Sequence, residues 1–320
     1  MNLFEKEKSE IERRLKAEGV PEEQCKTVSD AMASADLYDV PSHGIRILDA
    51  HIQRIRLGGY NLNPSFPVIR ETAAFAVIDG ENAFGFVSAS RCMKYAVERC
   101  KDSGIFHVFS RNNNTFGAAF YYPLIAAKNG MIGIISCNSP AQMAPFGGKE
   151  KMLGTNPFAA AIPVPGGDPV IIDMATSIVA KSKFKQYKEA GTPLPDGWAL
   201  SEDGVPTNDP DEGIRGLICP MAGYKGYSLS LLIDVLSGVL SGAAYLNKVG
   251  RFYSDNGDCM NVGFCCAAID PYAVFGEKYD ETINDFVSML KNSKACPGQI
   301  ISVPGDRNIS HMKAVTENIK

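Results

Sequence analysis

The sequence predicts a mixed β-sheet interleaved with helices and preceded by a separate helical segment. Three observations carry this. Residues 3–35 space apolar side chains helically among Glu, Lys and Arg. Between residues 67 and 172, short β-branched runs recur, separated by Gly, Asn and Pro. Longer stretches with helical spacing lie between those runs.

Taken in order, Phe4, Ile11, Leu15, Val20 and Val28 mark a helical face, and Val20-Pro21 divides it into two helices. Pro41-Ser42-His43-Gly44 reads as a turn able to cap a following helix, in which Ile45, Leu48, Ile52 and Ile55 share a face. Strands are expected at 68–69, 75–78, 105–109, 131–135, 158–162 and 170–172, with helices at 87–103 and 116–129. Residues 193–223, rich in Pro, Gly and Asp, read as a long surface loop suited to a lid or partner contact. The apolar stretch 227–246 carries Asp234 and several Ser and Gly, so it reads as a buried core helix rather than a membrane span. A strand at 264–269, a helix at 279–292, a turn at 304–306 and a helix at 311–320 that caps the fold complete the chain.

Composition narrows the function. The 320 residues include 32 Lys+Arg and 36 Asp+Glu, a net charge of −4 that gives no basic surplus for nucleic acid. The first residues are charged and lack the apolar core of a signal peptide. Nine Cys with no C-x-x-C argue against zinc ribbons and thioredoxin chemistry, and read mostly as buried free thiols in a reducing cytoplasm. His43, His51, His107 and His311 are too scattered for a His-rich metal site. No two glycines are separated by a single residue, so the dinucleotide fingerprint G-x-G-x-x-G cannot occur. Walker A, H-E-x-x-H and G-x-S-x-G motifs are also absent.

Four segments set polar groups beside tight turns. Ser42-His43-Gly44 offers an imidazole suited to general acid work, though a capping or surface His fits the same pattern. Gly154-Thr155-Asn156-Pro157 follows the Gly147-Gly148 turn, and the pair would let a ligand approach backbone amides or simply form hairpins. Asp173-Met174-Ala175-Thr176-Ser177 ends an apolar run and is expected to enter a helix whose free N–H groups face an anion, or to cap that helix. Gly223-Tyr224-Lys225-Gly226 opens the apolar helix. A cation there opposes the helix dipole unless an anion sits between them, or else it extends into solvent.

In this order, and with Ala35-Asp36-Leu37, Asp79-Gly80-Glu81-Asn82-Ala83-Phe84-Gly85, Asn138-Ser139-Pro140, Ala268-Ile269-Asp270-Pro271 and Pro304-Gly305-Asp306, the segments make the chain resemble the malate/L-lactate dehydrogenase family nearly end to end. That family includes ureidoglycolate, sulfolactate and diketogulonate dehydrogenases and piperideine-carboxylate reductase. The resemblance implies an α+β, non-Rossmann, L-sulfolactate dehydrogenase-like fold with a mainly antiparallel sheet. It implies a helical segment at 1–66, a cofactor-binding sheet domain at 67–223 and a closing segment at 224–320. It further implies NAD or NADP, a small 2-oxo or 2-imino acid, and a homodimer, with no nucleic acid or membrane partner.

By that resemblance His43 is the proton donor, oriented by Ser42. Asp173, Met174 and Ala175, Tyr224 and Lys225, and Pro304, Gly305 and Asp306 hold the cofactor. Asp173 also joins the catalytic network with Thr155, and Ser139 contacts cofactor or substrate. The sequence departs from the pattern at three places. Ile47 replaces the usual Arg; Arg46, one residue earlier, points about 100° away on a helix and is expected to reach the substrate along a different path. Thr115 stands where many relatives have His and is expected to contact the substrate, although Thr does not titrate near neutrality. His51 stands where relatives often have Tyr; it either shares the His43 face as a substrate contact or lies on the surface. The expected reaction is hydride transfer between NAD(P)H and the substrate carbon, with His43 supplying the proton. A nucleotide-binding member without turnover, acting as a sensor, and a metal-dependent hydrolase or lyase using His43 and His51 are the competing readings.

Overall fold

The computed structural model describes residues 3–317. Helix α1 (Leu3–Ala17) buries Ile11 and Leu15, and α2 (Glu22–Leu37) buries Cys25, Val28 and Met32, with Pro21 at the predicted break. Two single-turn 3-10 helices, Pro41–His43 and Ile45–Ile47, lead into α3 (Leu48–Arg56). The first turn of the predicted third helix is thus wound more tightly than an α-helix.

The sheet follows as β1 (Val68–Glu71), β2 (Phe75–Asp79), α4 (Gly85–Ser103), β3 (Ile105–Asn113), α5 (Tyr121–Ala127), β4 (Ile132–Cys137), β5 (Phe158–Ile162) and β6 (Val170–Met174). All six predicted strand runs are strands. The rest of the chain forms α6 (Ser182–Glu189), β7 (Ala199–Leu200), β8 (Pro206–Thr207), α7 (Pro210–Arg215), β9 (Leu217–Ile218), α8 (Tyr224–Asp234), β10 (Val262–Ile269), α9 (Pro271–Phe275), α10 (Tyr279–Lys291) and α11 (Asp306–Glu317). The last three residues of the expected final helix lie outside the described residues.

The main sheet runs β1-β2-β3-β10-β4-β5-β6. Only β2–β3 is parallel, and α4 supplies the crossover that a parallel pair requires. The architecture is α+β with a mainly antiparallel sheet. Strand β10 enters between β3 and β4, pairing Cys265 with Phe109 on one side and Ser136 on the other. Successive strand residues face opposite ways. Phe264 therefore joins the core under α4, while a Cβ on Gly263 would strike the Ser237 backbone. Helix α8, continued by a π-turn at Val235–Val239, thus covers the opposite face.

Four expectations are corrected. The helix expected at 116–129 begins only at Tyr121, because Gly117 at φ 74° breaks helical geometry. Residues 193–223 are not one loop: β7, β8 and β9 form a small sheet beside α7 and bury Leu194, Ala199 and Ile218 around Phe184. Two-residue strands carry no readable periodicity. No helix directly follows β6, since the next begins at Ser182, so Asp173 caps no helix of its own segment; its carboxylate instead accepts from the Phe120 amide at the start of α5. Finally, α8 is not buried all round. Ser230, Ile233, Asp234 and Ser237 face inward, whereas Leu232 and Leu240 are 50% and 56% exposed. Its acid is buried but satisfied, accepting from Asn138 at 3.1 Å and from the Leu246 amide at 2.9 Å. No described helix is long and apolar enough to cross a membrane.

Candidate active site

The site forms at the outer strand β6. Antiparallel pairing sets Phe158 opposite Met174, which brings the Gly154-Thr155-Asn156 turn against Asp173–Ser177. The Thr155 carbonyl accepts from the Thr176 amide at 2.9 Å and from its hydroxyl at 3.0 Å. The Thr176 carbonyl accepts from the Met221 amide at 2.9 Å, which anchors the start of α8 beside the strand end. Ser230 of α8 donates to the Gly154 carbonyl, and Asn156 donates to the Ser230 carbonyl at 3.0 Å. Asn156 also accepts from the Ser139 amide at 3.0 Å, and the Ser139 and Thr155 hydroxyls lie 3.5 Å apart. Three of the four turn segments are therefore one hydrogen-bonded unit. Pro304 joins it from below, its carbonyl accepting from the Ile171 amide at 3.0 Å.

The His43 turn reaches this unit by packing. Val40 lies against the cluster of Phe120, Ile171 and Ile309, and the Phe120 amide donates to the Asp173 carboxylate at 3.1 Å. Asn308 of α11 donates to the Tyr38 carbonyl at 2.6 Å, tying the Pro304-Gly305-Asp306 turn to the chain entering the His43 turn. Within that turn Ser42 Oγ is 2.8 Å from His43 Nδ1. A side chain at Gly44 would overlap the Asp36 carboxylate, with its Cβ 2.0 Å from Oδ2, while that same oxygen accepts from the Ile45 amide at 2.7 Å. Asp36 thus holds the backbone just after His43, and only glycine admits it.

Burial pushes the His43 pKa below its ordinary value. It pushes Asp173 up to about 6, opposed by the Phe120 amide. Asp173 nonetheless keeps solvent exposure at the end of β6. An imidazole held below its ordinary pKa and a carboxyl pushed up to about 6 suit proton transfer.

The remaining expected residues are dispersed. Arg46 is exposed and lies toward Asp36, whose carboxyl it stabilises in the charged form. Thr115 is half-buried where its carbonyl packs on Gly85. His51 is neither on the surface nor open to a substrate: it is fully buried, its Nδ1 2.7 Å from the Tyr60 hydroxyl and its ring against Phe86 and Phe252. The helical spacing from His43 fails because the intervening turn is 3-10. Asp306 accepts from the Val303 amide at 3.0 Å and pairs with Lys291 at 3.0 Å, so its carboxylate is already engaged.

Asp36, Phe120 and Asn156 position the site without having been singled out as site residues. Asn156, at φ 23°, was visible only as a turn residue, and the Phe120 amide carries no side-chain signal at all. The surface beside this unit offers exposed Met174 and Tyr224, with Phe146 edge-on to Tyr224 at 5.4 Å. It also offers Lys225 with no anionic partner among the described residues. Exposed rings and an uncompensated cation suit a nucleotide's base and phosphates.

The malate/L-lactate dehydrogenase family model matches residues 3–318, and the chain belongs to that family. It is 40% identical over 295 residues to a malate dehydrogenase of Pyrococcus horikoshii, covering 90% of this chain and 81% of that one. It is 34% identical over 313 residues to the NAD(+) ureidoglycolate dehydrogenase of Escherichia coli, covering 97% and 89%. The solved sulfolactate dehydrogenase of Methanocaldococcus jannaschii superposes with a TM-score of 0.92 at 36% identity, covering 97% and 90%.

Proposed function

We propose that the chain is a homodimeric, NAD(P)-dependent oxidoreductase of the cell interior that interconverts a small 2-oxo or 2-imino acid with its reduced form. The observation that carries this is the Ser42–His43 contact, set on a turn that follows Val40, which packs on the cluster whose Phe120 amide donates to Asp173. Ser42 occupies Nδ1, which leaves Nε2 as the ring atom that exchanges a proton. The nicotinamide supplies the hydride when bound. Met174, Ala175, Tyr224, Lys225 and the Pro304-Gly305 turn would hold it, with Ser139 and Thr155 offering hydroxyls toward the substrate. In reduction His43 gives its proton to the oxygen or nitrogen left negative; in oxidation it takes one back. Relatives named for NAD(+) and for NADP(+) both support the cofactor class. The exposed apolar face of α8 supports a dimer. Exposed free thiols at Cys259 and Cys296 support a reducing compartment.

The test is an NADH and NADPH oxidation screen over 2-oxo and cyclic imino acids. His43→Ala is expected to lower kcat by about 10²–10⁴-fold while nucleotide affinity holds. Near-normal turnover would remove His43 from the role. Because burial lowers the His43 pKa, the reductive rate should fall as pH rises through a value below 6.5, and the oxidative rate should fall as pH drops through it. A member that binds nucleotide without turnover, the reading motivated by Ile47 and Thr115, would show titratable NADH binding and no oxidation of any acid.

A further inference from the structure

Lys181 immediately precedes α6, seven residues after Met174. Its ammonium is half-buried, and no described carboxylate or carbonyl pairs with it. Its charged neighbours are Lys151, Arg251 and Lys185, all cations; burial first, and these cations second, push its pKa down to about 8. These come from separate segments. Lys151 ends the loop closed by the Met143–Leu153 bridge, and its own ammonium donates to the Arg215 carbonyl at 2.5 Å. Arg251 follows Leu246, which packs on the cluster around Phe184 of α6. The chain leading to Lys181 is lashed to the start of α8: Ser177 bridges Pro220, and the Ile178 amide donates to the Cys219 carbonyl at 2.9 Å.

Gathering cations around a half-buried, unpaired lysine costs stability unless an anion enters. The cluster adjoins the same strand end and helix start that offer Lys225. Resting on the nucleotide-binding reading above, we propose that Lys181, with Lys151, Lys185 and Arg251, receives the 2′-phosphate that distinguishes NADPH from NADH, so that NADPH is the preferred nucleotide. Lys225, standing apart at the opening of α8, remains for the diphosphate common to both. Two other sources share the cluster's anionic chemistry: that diphosphate, and an acidic group on the substrate.

Fluorescence titration of the whole protein with NADPH and NADH separates them, with 2′,5′-ADP and 5′-AMP as competitors. Wild type should bind NADPH at least about tenfold more tightly than NADH, and 2′,5′-ADP should compete better than 5′-AMP. Lys181→Met should cost NADPH and 2′,5′-ADP about tenfold or more and leave NADH within about twofold. Arg251→Met, at an exposed position, should shift in the same sense if the first variant folds poorly. Equal wild-type affinities, an equal loss of both nucleotides, or no loss in either variant overturns the assignment. Failure of both nucleotides to bind wild type would instead overturn the nucleotide reading itself.

Discussion

His51 is held neutral. Burial, with smaller contributions from Arg54 and His43, pushes its pKa down to about 3, while the unfolded chain titrates near 6.5. The native state therefore refuses a proton that the unfolded state accepts. This contribution to stability is present above about pH 6.5 and is lost as pH falls toward 3. His51→Phe keeps a ring among Tyr60, Phe84 and Phe252 but leaves the Tyr60 hydroxyl unpaired. It should cost about 1–3 kcal/mol at neutral pH, and its melting temperature should fall less steeply than wild type between pH 6 and 4. Parallel melting curves across that range would show that His51 is not the residue refusing the proton. The sequence set His43 on a turn and His51 on a helix face, but it did not show that His51 is sealed from solvent. That difference lies in the distant partners, Tyr60, Phe86 and Phe252, that close over His51.

At the scale of elements, α3 carries a buried Arg54 whose partners are neutral: the Phe252 carbonyl at 3.1 Å, the Asn114 side chain at 2.9 Å and the Asp258 carbonyl. Its guanidinium lies over the Tyr60 and Phe252 rings at 5.5 and 5.9 Å. One helix thereby holds the irregular chain before β10. Arg54→Met retains the stem and discards the donors, so it should destabilise by about 2–4 kcal/mol and open 252–258 to proteolysis. Unchanged cleavage kinetics in that segment would deny Arg54 this function. The strands were legible element by element because β-branched runs between turn residues are a local signal. The small sheet of β7, β8 and β9 was not, since its strands acquire meaning only when they meet.

For the whole molecule, the proposed dimer rests on the exposed face of α8. Leu231, Leu232, Val235, Val239 and Leu240 lie exposed, and Val239 and Leu240 also border a groove of about 580 Å³ with Ile69, Phe75, Val77 and Phe109. A contiguous apolar surface of this kind is costly in water. Replacing Leu232 by Lys should convert a dimer to monomer, as read by light scattering after size exclusion, with helical content unchanged. A monomeric wild type would end the dimer proposal.

Read along the chain, local chemistry determined the two N-terminal helices, the six early strands, the absence of a Rossmann fingerprint and the order of polar turns that points to one dehydrogenase family. Those features depend on residues near one another in sequence, where spacing and turn propensity act directly. Tertiary structure decided that β10 fills the middle of the sheet, that Asp173 ends a strand with no helix behind it, that His51 is sealed among aromatic rings, and that Lys181 gathers cations from three segments. Each depends on contacts between distant parts of the chain, whose burial and charge exist only once the chain has closed on itself.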